Sequence, residues 1–420
     1  NNWLGVWWSP IWKDFVFTDE VPIGNFSISG IWGGTSGNSV TLGQVNSGSF
    51  TYKGLPVLST EINVAVDDLS TRLTGKNIKH AHGISDGKLI FPRAIQETNL
   101  LLEFYFDGSF PVKESMGVLG DDFEQLLLDL NTTSLQCEAN GQIISTEFPE
   151  SSDRNQTWFD LKVSSNQPFT YDGIKFDYAF GNITQSRGIT EIKFDELGIA
   201  DGKAKLAIKE LSTESDEVSL LIDLKDGKRD KLISSFTEAF AKGDQEGING
   251  LSPLEQNTDA DENGGGIIDF SLQAEGPRSN LKYFQGTGNF IMQDFDIGSI
   301  HILGGIRSKL GAFNLPLPSD AFNFNKLEIP FILEQDRLLF NNARLLGPLS
   351  RMDATGEVNW VNEEVDLLAD FKLAGNLKIP LLKQIVNLAD PLSKLSKLKI
   401  QGNWKDPEWS VHLNAIPLKQ

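Results

Sequence analysis

Val365-Asp366-Leu367-Leu368-Ala369-Asp370-Phe371-Lys372-Leu373 decides the fold class. Val365, Leu367, Ala369, Phe371 and Leu373 occupy every second position, and Asp366, Asp370 and Lys372 fall between them. A period of two places successive side chains on opposite faces of a strand, one apolar and one largely polar. The same alternation recurs in Ile62-Val64-Val66, Leu100-Leu102-Phe104-Phe106, Val218-Leu220-Ile222-Leu224, Ile268-Phe270-Leu272 and Leu327-Ile329-Phe331-Leu333. Asp86-Gly87, Asp107-Gly108, Asp201-Gly202 and Asp226-Gly227 read as turns between such strands. The spacing is too short for βαβ crossovers, so the sheet is expected to be mainly antiparallel.

Few helices are expected. Asp121 or Asp122 could cap one running to Leu130; Lys228–Lys242 and Leu381–Lys394 read as two more, the last interrupted by Pro391. Between Gly243 and Gly266 the alternation stops. Six carboxylates without a Lys or Arg, closed by Gly264-Gly265-Gly266, read there as a mobile acidic loop.

The chain also repeats itself. Phe50-Thr51-Tyr52-Lys53-Gly54 returns as Phe169-Thr170-Tyr171-Asp172-Gly173, and Gly83-Ile84-Ser85-Asp86-Gly87-Lys88 as Gly198-Ile199-Ala200-Asp201-Gly202-Lys203, at offsets of 119 and 115 residues. Recurrence of a β unit points to stacked modules with a continuous surface. The resulting division is a first module with an aromatic N-terminal segment (1–130), a second (131–242), the acidic linker (243–266) and a C-terminal region (267–420).

A length of 420 residues and 40% hydrophobic content allow a large core. A net charge of −20 argues against binding nucleic acid, which needs clustered Lys and Arg to displace counterions. The longest apolar stretch, Ile297–Ile306, is too short for a membrane-spanning helix. The single Cys137 excludes an intramolecular disulfide and reads as a small buried hydrophobe. His80, His82, His301 and His412 are too scattered for a triad or a zinc site; His80-x-His82 is a conceivable metal pair without a third ligand and otherwise a surface feature. Asp259-x-Asp261-x-Asn263-Gly264 opens like a calcium loop, but Phe270 stands where its bidentate Glu belongs. No catalytic residue, metal ligand or cofactor is assigned. A glycosidase carboxylate pair cannot be chosen from 57 acids. Trp3, Trp7, Trp8, Trp12, Phe15 and Phe17 either form an interfacial belt or pack a terminal segment onto the next sheet.

The last third resembles the C-terminal region of the bacterial AsmA-like family. The resemblance runs through Gly286-Thr287-Gly288-Asn289-Phe290, Asn325–Leu333, Arg337-Leu338-Leu339-Phe340, Gly347-Pro348 and Ala354-Thr355-Gly356. It closes on Ile400-Gln401-Gly402-Asn403-Trp404-Lys405-Asp406-Pro407-Glu408-Trp409, with weaker similarity around Trp12-Lys13-Asp14-Phe15 and Gly30-Ile31-Trp32-Gly33. The resemblance implies a mainly β fold: a curled antiparallel sheet forming an open apolar groove, of the repeating β-groove type, with a few short helices. It also implies a non-enzymatic protein of the Gram-negative periplasm, tethered to the inner membrane by an anchor absent from this chain. Its function would be to shelter or transfer phospholipid or other acyl lipids in outer-membrane biogenesis and envelope lipid homeostasis, with a possible outer-membrane partner protein. Groove candidates are the alternating apolar residues Ile62, Val64, Leu102, Phe104 and Phe106, then Leu220, Ile222, Phe270 and Leu272, then Ile329, Phe331, Leu367 and Phe371. A non-lipid scaffold for outer-membrane protein assembly, and an extracellular carbohydrate-active β protein, remain as alternatives. A sealed β-sandwich would show the same alternation.

Overall fold

The computed structural model describes residues 15–18, 22–30, 40–67, 69–92, 100–115, 130–144, 157–171, 173–213, 215–232, 234–235, 266–294, 297, 323–359, 361–373, 397–403 and 407–412. The chain divides into two compact units, residues 1–197 and 198–420. The first contains β1 (Phe15–Phe17), β2 (Ile23–Ser29), β3 (Val40–Ser47), β4 (Phe50–Tyr52), β5 (Leu55–Val57), β6 (Ser59–Val66), β7 (Ser70–His80) and β8 (Gly83–Pro92). It continues with β9 (Leu100–Pro111), β10 (Leu130–Asn131), β11 (Ser134–Ile144), β12 (Trp158–Ser165), β13 (Phe169–Tyr171), β14 (Ile174–Phe176) and β15 (Tyr178–Ser186). The unit boundary falls within β16 (Ile189–Ile199). The second unit holds β17 (Gly202–Glu210), β18 (Glu217–Lys228), β19 (Ile267–Pro277), β20 (Gln285–Gln293) and β21 (Lys326–Glu334). After these come β22 (Arg337–Leu346), β23 (Ser350–Asn359), β24 (Glu364–Leu373), β25 (Lys397–Asn403) and β26 (Glu408–His412).

The protein is mainly β, as the alternation predicts, and its ladders are antiparallel. In the first unit β2-β3-β6-β7-β8-β9-β11-β12-β15 pair in that order. In the second, β17 to β26 pair consecutively. Among the described residues β2 pairs with β3 alone and β26 with β25 alone, so both sheets are open at those edges.

The repeat is structural, but its register differs from the second sequence match. Strands β4, β6, β7 and β8 begin at residues 50, 59, 70 and 83, and β13, β15, β16 and β17 at 169, 178, 189 and 202, a constant 119 residues later. Each copy carries a small satellite sheet. Phe15 faces Tyr52 where β1 meets β4, and Leu130 faces Tyr171 where β10 meets β13. Gly83 therefore corresponds to Gly202, not to Gly198. The match at 115 residues aligned two similar words with different surroundings. Asp201-Gly202 lies at the turn before β17, whereas Asp86-Gly87 lies inside β8.

Asp201-Gly202 is thus the turn expected of it, whereas the other three Asp-Gly pairs are not turns. Asp86-Gly87, Asp107-Gly108 and Asp226-Gly227 all sit within strands. Two of the aspartates belong to bulges. The Asp86 carboxylate accepts the N–H of Asn77 (2.8 Å), which has φ 50° where β7 slips against β8. Asp226, φ 58°, occupies the slip between β18 and β19 and donates its N–H to Asp269 (2.8 Å). A bulge needs a residue tolerant of positive φ and a polar partner for the displaced N–H, the composition that a tight turn also favours.

Of the expected helices, the one proposed over Lys228–Lys242 starts at Arg229 after β18 ends, with Leu232 and Ser235 buried. The helix expected to run to Leu130 lies outside the described residues except for Leu130 itself, which begins β10. The one at 381–394, the acidic stretch 243–265 and Trp3, Trp7, Trp8 and Trp12 also lie outside them. Phe15 and Phe17 pack on the first satellite sheet, with ring centroids 4.7 Å (Phe15–Tyr52) and 5.8 Å (Phe17–Phe50) apart.

Candidate functional site: the apolar sheet faces

Directly paired residues of antiparallel strands share a face, so the register converts the alternation into rows running across each sheet. In the second unit one row joins Ile222, Leu272, Gly288, Phe331, Phe340 and Gly356. It begins at Leu206 and ends through Leu367, Ile400 and Trp409. A parallel row starts Ala204, Leu224, Phe270, Phe290, Ile329. After the slip in β22 it resumes as Ala343, Ala354, Ala369 and Leu398. No member of either row is charged.

Burial along this face is graded. Leu206, Ile222, Phe270, Phe331, Phe340 and Leu367 are half-buried. Both sides of this central lane are closed. On one side Val218, Ala274, Phe284 and Leu333 form a buried cluster against which Leu220, Leu272 and Leu338 pack. On the other, Ile268, Met292, Leu327, Leu345, Met352 and Phe371 are each at most 8% exposed. On this side Leu232 would meet a Cβ on Gly227 at 2.9 Å. Ile297 and Phe324 are fully buried and joined by the Ile297 N–H to Phe324 carbonyl bond (2.8 Å). An Arg229–Asp294 ion pair ties the helix start to the end of β20.

The first unit has an equivalent face. Phe26, Gly43, Val64, Leu73, Leu89 and Phe104 form one row, continued by Gly141 and Phe159. Val45, Ile62, Gly75, Gly87, Phe106 and Ala139 form the next, ending at Leu161 and Ile183. Ile62, Val64, Leu102, Phe104 and Phe106 are half-buried.

All thirteen sequence-nominated groove residues thus fall on the apolar face of their own unit. Twelve are half-buried, while Phe371 (6% exposed) belongs to the buried side. What the alternation alone did not show is the role of glycine. Gly43, Gly75, Gly87, Gly141, Gly286, Gly288 and Gly356 stand in the same rows as the large apolar residues. A Cβ on Gly43 would enter the Phe26 ring, and one on Gly288 the Phe331 ring. The rings lie down across the glycines, which keeps the floor level. The signal was present: these glycines keep the period-two positions of their strands.

The opposite faces carry cross-strand charge pairs: Lys162–Glu138 (3.0 Å), Arg337–Glu357 (3.5 Å) and Lys372–Asp353 (2.8 Å). Burial raises the proton affinity of Asp353, but bonds from Lys372 and Arg351 outweigh it and hold the carboxyl below its ordinary range.

The histidine pair is not a surface feature. His80 is buried (7% exposed); its Nε2 donates to the Ser109 carbonyl (2.9 Å) while Nδ1 accepts the His82 N–H (3.3 Å). With Nδ1 an acceptor, the ring is neutral. His82 Nε2 meets Glu114 Oε1 at 3.0 Å. No cluster of three or more potential metal ligands occurs among the described residues. No protein-family model matches the chain, and neither the curated proteins nor the solved structures contain a match to it.

Proposed function

We propose that the apolar face of each unit shelters the acyl chains of phospholipid or other acyl lipids, in the manner that the AsmA-like resemblance implies. The carrying observation is the half-burial of Phe104, Phe331 and Leu367 in unbroken uncharged rows. In a sealed sandwich such residues would be fully covered by the second sheet. Each acyl CH₂ taken from water onto such a face contributes about 0.8 kcal/mol. A row of uniform apolarity keeps that gain as the chain moves along it. The protein would act without catalysis in outer-membrane biogenesis and envelope lipid homeostasis, in the periplasm, tethered to the inner membrane. Native mass spectrometry of the chain, purified gently from a bacterial envelope, is expected to show adducts of phospholipid mass that diminish in Phe104→Asp and Phe331→Asp variants. A folded chain that stays lipid-free when offered phospholipid would overturn the reading.

A second reading, a scaffold for outer-membrane protein assembly, draws on β2. Its sequence Ile23-Gly24-Asn25-Phe26-Ser27-Ile28-Ser29 is exposed throughout and uncharged, without the Lys or Pro that commonly blunts an edge strand. Binding of a partner strand there without lipid adducts on either face would favour it.

A further inference from the structure

The charged side of the first unit's sheet carries a depression of about 290 Å³ lined by residues of β8, β9, β11 and β12. Its floor follows two rows. Lys88, Tyr105 and Asn140 pair in one, and Ile90, Glu103, Gln142 and Trp158 in the other. Tyr105 and Trp158 are 41% and 40% exposed. Two large aromatic rings left in water on a polar face forgo the burial that normally stabilises them. Between and around them stand two carboxamides, one carboxylate and one ammonium. Burial and the nearby carboxylates of Asp107 and Glu138 push the Tyr105 phenol above its ordinary range, so it stays protonated and can donate a hydrogen bond.

This combination selects among ligand classes. An acyl chain would strand Glu103 and Lys88 against hydrocarbon. A nucleic acid would meet Glu103 and Asp107 with Lys88 as the lining cation, too little to displace counterions. A neutral sugar suits this lining. Its C–H face can lie on an aromatic ring, while its hydroxyls donate to Glu103 and exchange hydrogen bonds with the donors and acceptors of Asn140 and Gln142. Tyr105 and Trp158 are separated by two strand steps and two residues along the strand, on the order of 12 Å, more than one sugar ring covers. We propose that this depression binds a neutral oligosaccharide of two or more units, with Tyr105 and Trp158 as stacking platforms. The site lies on the face opposite the apolar rows and does not depend on the lipid reading.

Saturation-transfer NMR with the whole chain tests it, using tetramers of glucose and of N-acetylglucosamine at millimolar concentration. At least one tetramer should show transfer to its ring protons. Tyr105→Ala and Trp158→Ala should each weaken binding by about fivefold or more without moving the melting temperature, and Tyr283→Ala, which removes an exposed ring of the second unit, should leave it unchanged. Absence of transfer from both tetramers, or equal binding by the two alanine variants, would overturn the proposal. So would an extended peptide that competes at Tyr105 and Trp158 while neither sugar does.

Discussion

In the turn joining β7 to β8, His80 spends both ring nitrogens on the backbone, one on Ser109 and the other on His82. Protonating Nδ1 would set a donor against the His82 N–H. Burial lowers the proton affinity of the ring, and His82 lowers it further, against the raising influence of the Ser109 carbonyl and Glu114. The folded value therefore lies below the ordinary 6.5, and the unfolded chain takes up the proton first as pH falls. Stability should decline from about pH 6.5 downward, before the carboxylates protonate. Urea midpoints measured at half-unit steps between pH 8 and 5 should show this slope in the wild type and a flatter one in His80→Gln; parallel curves would refute the assignment. Cys137 offers a second check. It is buried among Gly108, Val163 and their strands, and burial pushes its thiol up to about 12. Alkylation by iodoacetamide at pH 8 should be negligible in the folded chain and rapid in urea, and fast labelling of the native state would show the site to be open.

At the scale of strands and turns, alternation was the legible part. Every strand read from it is present, because a half-buried sheet demands a period of two and little else in the chain competes. Asp201-Gly202 was read correctly, but Asp86-Gly87 and Asp226-Gly227 were misread since bulge and turn ask for the same residues; only the partner strand decides, and a partner is invisible along one chain. Glycine carries a comparable ambiguity, which substitution resolves. Gly356 has φ 144°, and a Cβ there would collide with the Asp366 carbonyl oxygen, whereas Gly48 meets nothing within 4 Å. Gly356→Ala should cost roughly 2 kcal/mol or more, and Gly48→Ala should be neutral or stabilise by up to about 1 kcal/mol. Chemical denaturation of the two variants distinguishes these outcomes, and similar stabilities would contradict the rows described for β23 and β24.

For the molecule as a whole, the sequence indicated which side chains share a face, but not which part of that face stays open. Phe331 and Phe371 obey one alternation, yet Phe331 is half-buried and Phe371 is covered on the side where Leu232, Ile297 and Phe324 are buried. That difference arises from segments far away in sequence and has no local signature. It also gives a contrast within one sheet: hydrocarbon should reach Phe331 and Leu367 but not Phe371 or the charged side. Site-specific photo-crosslinking in living bacteria reads this contrast most directly, with the photoreactive residue placed in turn at Phe331, Leu367, Phe371 and Asp370. Phospholipid captured at Phe331 and Leu367, and at neither Phe371 nor Asp370, is the predicted result. Equal capture at all four positions, or capture at none of them in a folded chain, would contradict the account.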